Sequence, residues 1–332
     1  MDSFVNSSNT NGTSSAYSPE AIGLGVGYAL LSVVGIAGNG LVLIAVAFSK
    51  SLQTTSNVFI VNLAVADLLT SLVFPSFVIA GFADYRPYLD TMCFVALAIA
   101  HTTIGCSIYT LASIAINRFV LILSPMKYYR DIFKPKVFTV WVTFLWICPV
   151  LIAVFPPVAL DIGKLAFDGL NHNCRPKTTV ASSALYDNLL IYGYFPIPLS
   201  IIMVSYIGIF IKVLRHNRRM SKQSLTLTLY SSGRQVISFH YLQTSDEYAP
   251  IRRSHDAFQR QLKITRNMFY IFCAFLVCYL PHTICNFTDC RIGAFTRLFV
   301  STNSVVNPFI YGISHPHFRK VFGEILGCKS SS

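Results

Sequence analysis

Charge is what this sequence has least of. Asp, Glu, Lys and Arg make up only 12% of its 332 residues, against 53% hydrophobic. That is too little to cover a soluble globule, so lipid is the implied solvent. The first 20 residues lack a basic segment followed by a short apolar run and a small-residue cleavage site, so no cleaved signal peptide is expected. Nine cysteines are too sparse in a chain of this length for a disulfide scaffold, and most sit in apolar stretches where a buried free thiol is the ordinary outcome. Internal repeats and paired broken helices, the marks of many transporters, are missing. A second acid, a Ser with a Lys or His, or a His/Glu cluster at one depth is missing too, and an intramembrane enzyme needs one of these. No catalysis is expected, and no cofactor.

What the chain has is apolar length. Stretches near or above the ~20 residues that cross hydrocarbon as a helix lie at 22–48, 57–80, 93–123, 137–160, 186–214, 264–288 and 294–313. This predicts an all-α membrane protein: a seven-transmembrane helix bundle. Residues 1–21 form an N-terminal tail, 22–313 the bundle with a long third loop at 215–263, and 314–332 the C-terminal end. The net charge is +12, and 20 of the 26 Lys and Arg fall in alternate loops and the C-terminal tail. Such loops stay on the cytoplasmic side. The tail is then extracellular, the C-terminus cytoplasmic, and nucleic-acid binding is not needed to explain the charge. Asn6 and Asn11 open glycosylation sequons in the tail. Asn286-Phe287-Thr288 also matches, but falls in the outer part of the sixth stretch and is expected to stay unmodified.

Polar residues stand out inside the apolar stretches. Asp67, in Leu63-Ala64-Val65-Ala66-Asp67, is the only acid in a helix interior. It must face the bundle, either satisfied by neighbouring hydroxyls and amides or serving as an ion or proton site. Pro198, Pro281 and Pro308 each remove a backbone hydrogen bond and bend a helix. After the seventh stretch, Phe318, Val321, Phe322, Ile325 and Leu326 recur at helical spacing opposite Arg319 and Lys320, which predicts a short amphipathic helix on the membrane surface. Cys328 at its end is a palmitoylation candidate. Basic residues flank the third loop, while its middle, Leu225 to Leu242, alternates polar and β-favouring residues for no evident physical reason.

One mark per helix, in order, resembles the rhodopsin-like (class A) G-protein-coupled receptors. The marks are Gly38-Asn39, Leu63-Ala64 with Asp67, Cys93 followed by Asn117-Arg118-Phe119, Trp146, Phe195 with Pro198 and Tyr206, Phe275 with Cys278-Tyr279-Leu280-Pro281, and Asn307-Pro308-Phe309-Ile310-Tyr311. The resemblance runs from Asn39 to Cys328. It implies a receptor for an extracellular small molecule or peptide that signals through a heterotrimeric G protein, with arrestin, receptor kinases and membrane lipid as further partners. It also implies a Cys93–Cys174 disulfide. The switch would comprise Asn117, Arg118, Phe119, Pro198, Tyr206, Phe275, Pro281, Asn307, Pro308 and Tyr311. Asp67, Ser107, Asn303, Ser304 and Asn307 match positions that hold sodium in many members, the alternative being a water-filled polar cavity.

The departures from the pattern are informative. Asn117 replaces the usual acid beside Arg118, and Gln261 and Lys263 stand at the foot of helix six where an acid often completes a lock, so appreciable basal signalling is expected. Tyr279 replaces the usual Trp at the pocket floor. Ala100 stands where aminergic receptors carry Asp, which argues against biogenic amines. The seventh stretch has no Lys, which excludes a retinal Schiff base. By helical spacing His101, Thr102, Ile104, Tyr192, Tyr194, Phe195, His282 and Asn286 line the outer cavity. Arg297, about three turns before Pro308, either pairs internally with Asp187 or Asp289, snorkels outward, or anchors a ligand anion. Ile116-Asn117-Arg118-Phe119 with Cys278-Tyr279-Leu280-Pro281 most resembles the melatonin-receptor neighbourhood, including moody-like and medium-chain fatty-acid receptors. Expected ligands are therefore a melatonin-like indole or a small carboxylate, with a short peptide as the alternative and a transporter or channel far behind.

Overall fold

The computed structural model describes residues 19–54, 57–169, 172–176, 182–231, 249–288 and 293–327. Asn6, Asn11 and Cys328 lie outside them. Six helical spans are long and apolar enough to cross a membrane, beginning at Pro19, Asn57, Pro87, Pro135, Ala184 and Gln261. The seventh crossing is built from two shorter helices, Gly293–Ser301 and Asn303–Ser314, that meet at Thr302. Two other crossings are also interrupted. The fourth runs Pro135–Ala153 and resumes as Phe155–Ala159, and the fifth runs Ser183–Tyr194 and resumes as Pro196–Ser231. A final helix, Pro316–Ile325, packs Phe318, Val321 and Phe322 inward and leaves Ile325 and Leu326 exposed.

The third loop differs from the sequence expectation at both ends. The fifth crossing stays helical to Ser231 and the sixth begins at Ala249. Leaving the bilayer ends the hydrophobic pattern but not the helix, because intrahelical hydrogen bonds carry on into water.

Prolines explain how the crossings are tied together. A proline removes the N–H that would bond the carbonyl four residues back, and in lipid that carbonyl needs another donor. Pro75, in the second crossing, frees the Ser71 carbonyl, and the Ser32 hydroxyl of the first crossing donates to it at 2.9 Å. Pro308 frees the Ser304 carbonyl, which accepts from Asn39 Nδ2 at 2.8 Å. Pro157 frees the Ala153 carbonyl, which accepts from the buried Tyr186 hydroxyl at 2.8 Å. Close approach of the first two crossings also requires Gly35, where a Cβ would sit 2.1 Å from Ser71 Oγ.

At the end of the bundle that carries the Pro87 helix start, a two-stranded antiparallel hairpin, β1 (Leu165–Asp168) and β2 (Asn173–Pro176), lies over the third crossing. Cys174 of β2 is disulfide-bonded to Cys93. Phe167 of β1 packs with Ala80, Leu89 and Cys93, and its N–H donates to Asp90 Oδ1 at 3.1 Å. Cys285 is disulfide-bonded as well, to a partner outside the described residues, rather than free as its helical setting implied. These two ends are called below the disulfide end and, opposite it, the Arg118 end.

Candidate functional site

Three groups of side chains, at three depths, contain nearly all the residues singled out by sequence. Nearest the disulfide end, His101 Nδ1 lies 3.1 Å from the Tyr186 hydroxyl. That hydroxyl spends its only proton on the Ala153 carbonyl. His101 is therefore the donor through Nδ1, which leaves Nε2 as the acceptor of a neutral ring. His282 Nδ1 stands 3.1 Å from Thr296 Oγ1, whose own proton goes to the Gly293 carbonyl. Arg297 is exposed, lies within electrostatic reach of Tyr28, Asp187, His282 and Arg175, and among the described residues forms no ion pair. Thr102 is buried and Ile104 packs onto the central core. Asn286 is helical, but its side chain is not described. Beneath these residues Tyr279 stacks on Phe275 at 4.3 Å and meets Phe195 edge-on at 5.5 Å. Ala100, on the third crossing, is buried with Val73 and Ala96.

Two of the expected cavity residues are elsewhere. Tyr192 is 63% exposed on the outside of the bundle, in a groove between the fourth and fifth crossings. Tyr194 is buried against Gly105 and donates to the Pro149 carbonyl at 3.2 Å, so it packs the fourth and fifth crossings together. The fifth crossing is apolar on nearly every face, and spacing alone could not orient it.

At mid-depth the Asp67 carboxylate is buried and accepts from Ser107 Oγ at 3.3 Å and Asn307 Nδ2 at 2.7 Å, with the Ser304 hydroxyl alongside. Asn303 is buried on the same helix as Asn307. Asn307 Oδ1 is buried without a partner. The cluster offers hard oxygen donors, one of them charged, and no basic side chain bonds to it, a chemistry that fits a small hard cation.

At the Arg118 end, Arg118 is buried, and its Nη1 donates to Gln261 Oε1 at 3.4 Å while its Nε has no partner. Asn117 Nδ2 donates to the Tyr129 hydroxyl at 3.2 Å. Phe119 lies against Gly208, and Tyr206 packs on Phe269 and Phe272 of the sixth crossing. Asn267 of the sixth crossing donates to the Ser314 carbonyl of the seventh. Tyr311 stacks on Phe318 at 5.4 Å. Pro198 and Pro308 are buried, and Pro281 is exposed on the sixth helix. Sequence reasoning named Gln261 but missed Tyr129 and Asn267. The usable signal was a polar residue with no apolar partner at the same depth as Asn117 or as the end of the seventh crossing.

The description "7 transmembrane receptor (rhodopsin family)" matches residues 38–311, most of the chain. The chain belongs to this family of receptors. Among its relatives are a Gq-coupled rhodopsin of Mizuhopecten yessoensis, 27% identical over 90% of this chain and 58% of that one, and an alpha-1A adrenergic receptor of Oryzias latipes, 27% identical over 93% and 67%. The receptor thus spans little more than half of the first of these. The crystal structure of squid rhodopsin shares the fold, with a TM-score of 0.75 at 23% identity over 93% of this chain and 87% of that one. Yet the receptor's seventh crossing has no Lys, and Ala100 is an apolar residue on the third.

Proposed function

We propose that this receptor sits in the plasma membrane with its N-terminus outside, binds a small carboxylate at the disulfide end, and activates a heterotrimeric G protein at the Arg118 end. Arrestin and receptor kinases would engage the same cytoplasmic face. Arg297 carries the ligand assignment: it is an exposed guanidinium at the disulfide end, within electrostatic reach of Tyr28 and His282, that forms no ion pair among the described residues. His101 Nε2 adds an acceptor for a polar group on the ligand. In the basic loops at the Arg118 end, Lys and Arg outnumber acids as they do on cytoplasmic faces. Screening carboxylates, indoles and peptides with a promiscuous G-protein readout tests the reading. Arg297→Ala should weaken the potency of a carboxylate agonist about 10- to 100-fold, the worth of a charge-assisted hydrogen bond, with Arg297→Lys in between. A carboxylate response that is equal in Arg297→Ala would exclude the anchor.

We further propose that Asp67, Ser107, Ser304 and Asn307, with Asn303 nearby, hold a sodium ion. When bound, the ion neutralises the buried carboxylate and favours the resting arrangement. The support is that, among the described residues, Asn307 Oδ1 is unpartnered and the nearby carboxylate is hydrogen-bonded by neutral groups. Agonist affinity should fall as sodium replaces an inert cation, and Asp67→Asn should abolish that dependence. Affinity that ignores sodium in the parent protein would remove the ion from the account.

A further inference from the structure

Arg118 is a full positive charge at 4% exposure, and a buried charge is costly unless an opposite charge and hydrogen bonds meet it. Among the described residues no carboxylate does so. The next residue along the chain is Asn117, whose amide turns to the Tyr129 hydroxyl, and the sixth crossing offers only the neutral Gln261 amide at 3.4 Å. The two acids whose side chains are described at this end, Asp131 and Glu324, are more than half exposed and stand beside Lys134 and Lys320. Asp256 is five residues before Gln261, more than a helical turn further from the bundle. The Arg118 Nε also lacks a partner among the described residues.

A second unmatched group lies within electrostatic reach of the first. His315 joins the seventh crossing to the final helix, is 3% exposed, and meets Phe318 edge-on at 5.1 Å. Its Nδ1 is buried with no partner among the described residues, and in the Nδ1–H tautomer it is a donor. His315 is also the N-cap of the helix Pro316–Ile325, whose positive dipole end and unbonded N–H groups favour an anion. The sixth crossing reaches this corner as well, through the Asn267 bond to the Ser314 carbonyl. Size and charge select the occupant. Side chains this enclosed exclude an anion that carries a chain, and one guanidinium is neutralised by one negative charge, where a phosphate would bring an excess.

We infer that the Arg118 end binds a small monovalent anion, chloride in the cell, held by Arg118 and His315 in place of the carboxylate that Asn117 and Gln261 do not supply. The anion stabilises the closed arrangement, because water solvates Arg118 once the sixth crossing moves away. The site is separate from the proposed carboxylate and sodium sites and is read with no ligand present and sodium held constant.

The test uses the purified full-length receptor in detergent, with chloride exchanged for gluconate at fixed sodium and ionic strength. Chloride at about 150 mM should raise the thermal midpoint by about 2–4 °C, saturably, and bromide should replace it. Gln261→Glu, which supplies a carboxylate from the protein itself, should be more stable than the parent in gluconate and should lose the response. His315→Phe, which keeps a ring against Phe318 but removes Nδ1, should require about five-fold or more chloride for the half-maximal shift. A midpoint in the parent that ignores chloride would overturn the site, and a response that appears only in Asp256→Asn would assign the counter-charge to Asp256 instead. Equal responses in the parent, Gln261→Glu and His315→Phe, as a general salt effect gives, would overturn it too.

Discussion

Gln261→Glu should lower ligand-independent signalling about 5- to 30-fold, and Gln261→Ala should raise it. In this structure Arg118 is buried and its Nη1 donates to the neutral Gln261 amide at 3.4 Å, with no partner for Nε among the described residues. A neutral hydrogen bond contributes ~1 kcal/mol net and one with an ionised partner about twice that; the Arg118–Gln261 contact is of the second kind but long, and a carboxylate at 261 would add the attraction of opposite charges, about 1–2 kcal/mol. Each ~1.4 kcal/mol added to the resting state shifts the two-state ratio ten-fold. The parent protein therefore rests on a weak clamp, and its basal output should stand clear of mock-transfected cells. Asn267, bonded to the Ser314 carbonyl, is a second tie between the sixth crossing and its neighbours. It limits how far Gln261→Ala can release the helix. The measurement is second-messenger output per surface receptor without agonist. Identical output in the parent, Gln261→Glu and Gln261→Ala would show that the contact restrains nothing.

Cys174→Ser should cost about 2–5 kcal/mol, as loss of a native disulfide commonly does, and reduce folded receptor at the cell surface about ten-fold or more. The bond closes a loop of 81 residues. It also fixes the hairpin whose Phe167 seals Ala80 and Leu89. Without the tie, the burial of Phe167 and its N–H bond to Asp90 must hold the hairpin. Cys273→Ser provides the control, because Cys273 is a free, half-buried thiol. Surface staining with an epitope tag and thermal unfolding in detergent would read both variants. Equal surface levels for Cys174→Ser and Cys273→Ser would mean that the hairpin stays in place without its bridge.

Hydrophobic length made the second crossing legible to within two residues, expected at 57–80 and running Asn57–Phe82, but not the ends of the fifth and sixth, whose helices continue beyond the apolar stretch to Ser231 and begin before it at Ala249. The breaks at Val154, Phe195 and Thr302 were not visible, since a helix that stops and restarts keeps the same composition. Asp67 could be placed inside the bundle because the cost of a lipid-facing carboxylate leaves no alternative. Its bond to Asn307, 240 residues away, then joins two positions marked separately. Tyr192 failed for the opposite reason. A phenol can sit on either face of an apolar helix, and only the packing of Tyr194 against Gly105 and Pro149 shows which way the fifth crossing is turned. Arg118 was marked by its neighbours in sequence, and its partner 143 residues on, the neutral amide of Gln261, was singled out only because the resemblance expects an acid near that point, not by any charge pattern.

The proline-freed carbonyls also impose an order on assembly. The chain folds from the N-terminus as it is made, and in each of these bonds the partner made first waits in the membrane until the other arrives. The Ser32–Ser71 bond spans 39 residues and can close as soon as the second crossing inserts. The Asn39–Ser304 bond spans 265 residues, so it closes only when the last crossing enters. Until then the Asn39 amide is held by its own helix, through the Gly35 carbonyl at 3.0 Å. A chain truncated before the seventh crossing would keep the first pair of helices joined and leave Asn39 facing lipid, a polar mark by which an unfinished bundle differs from a finished one.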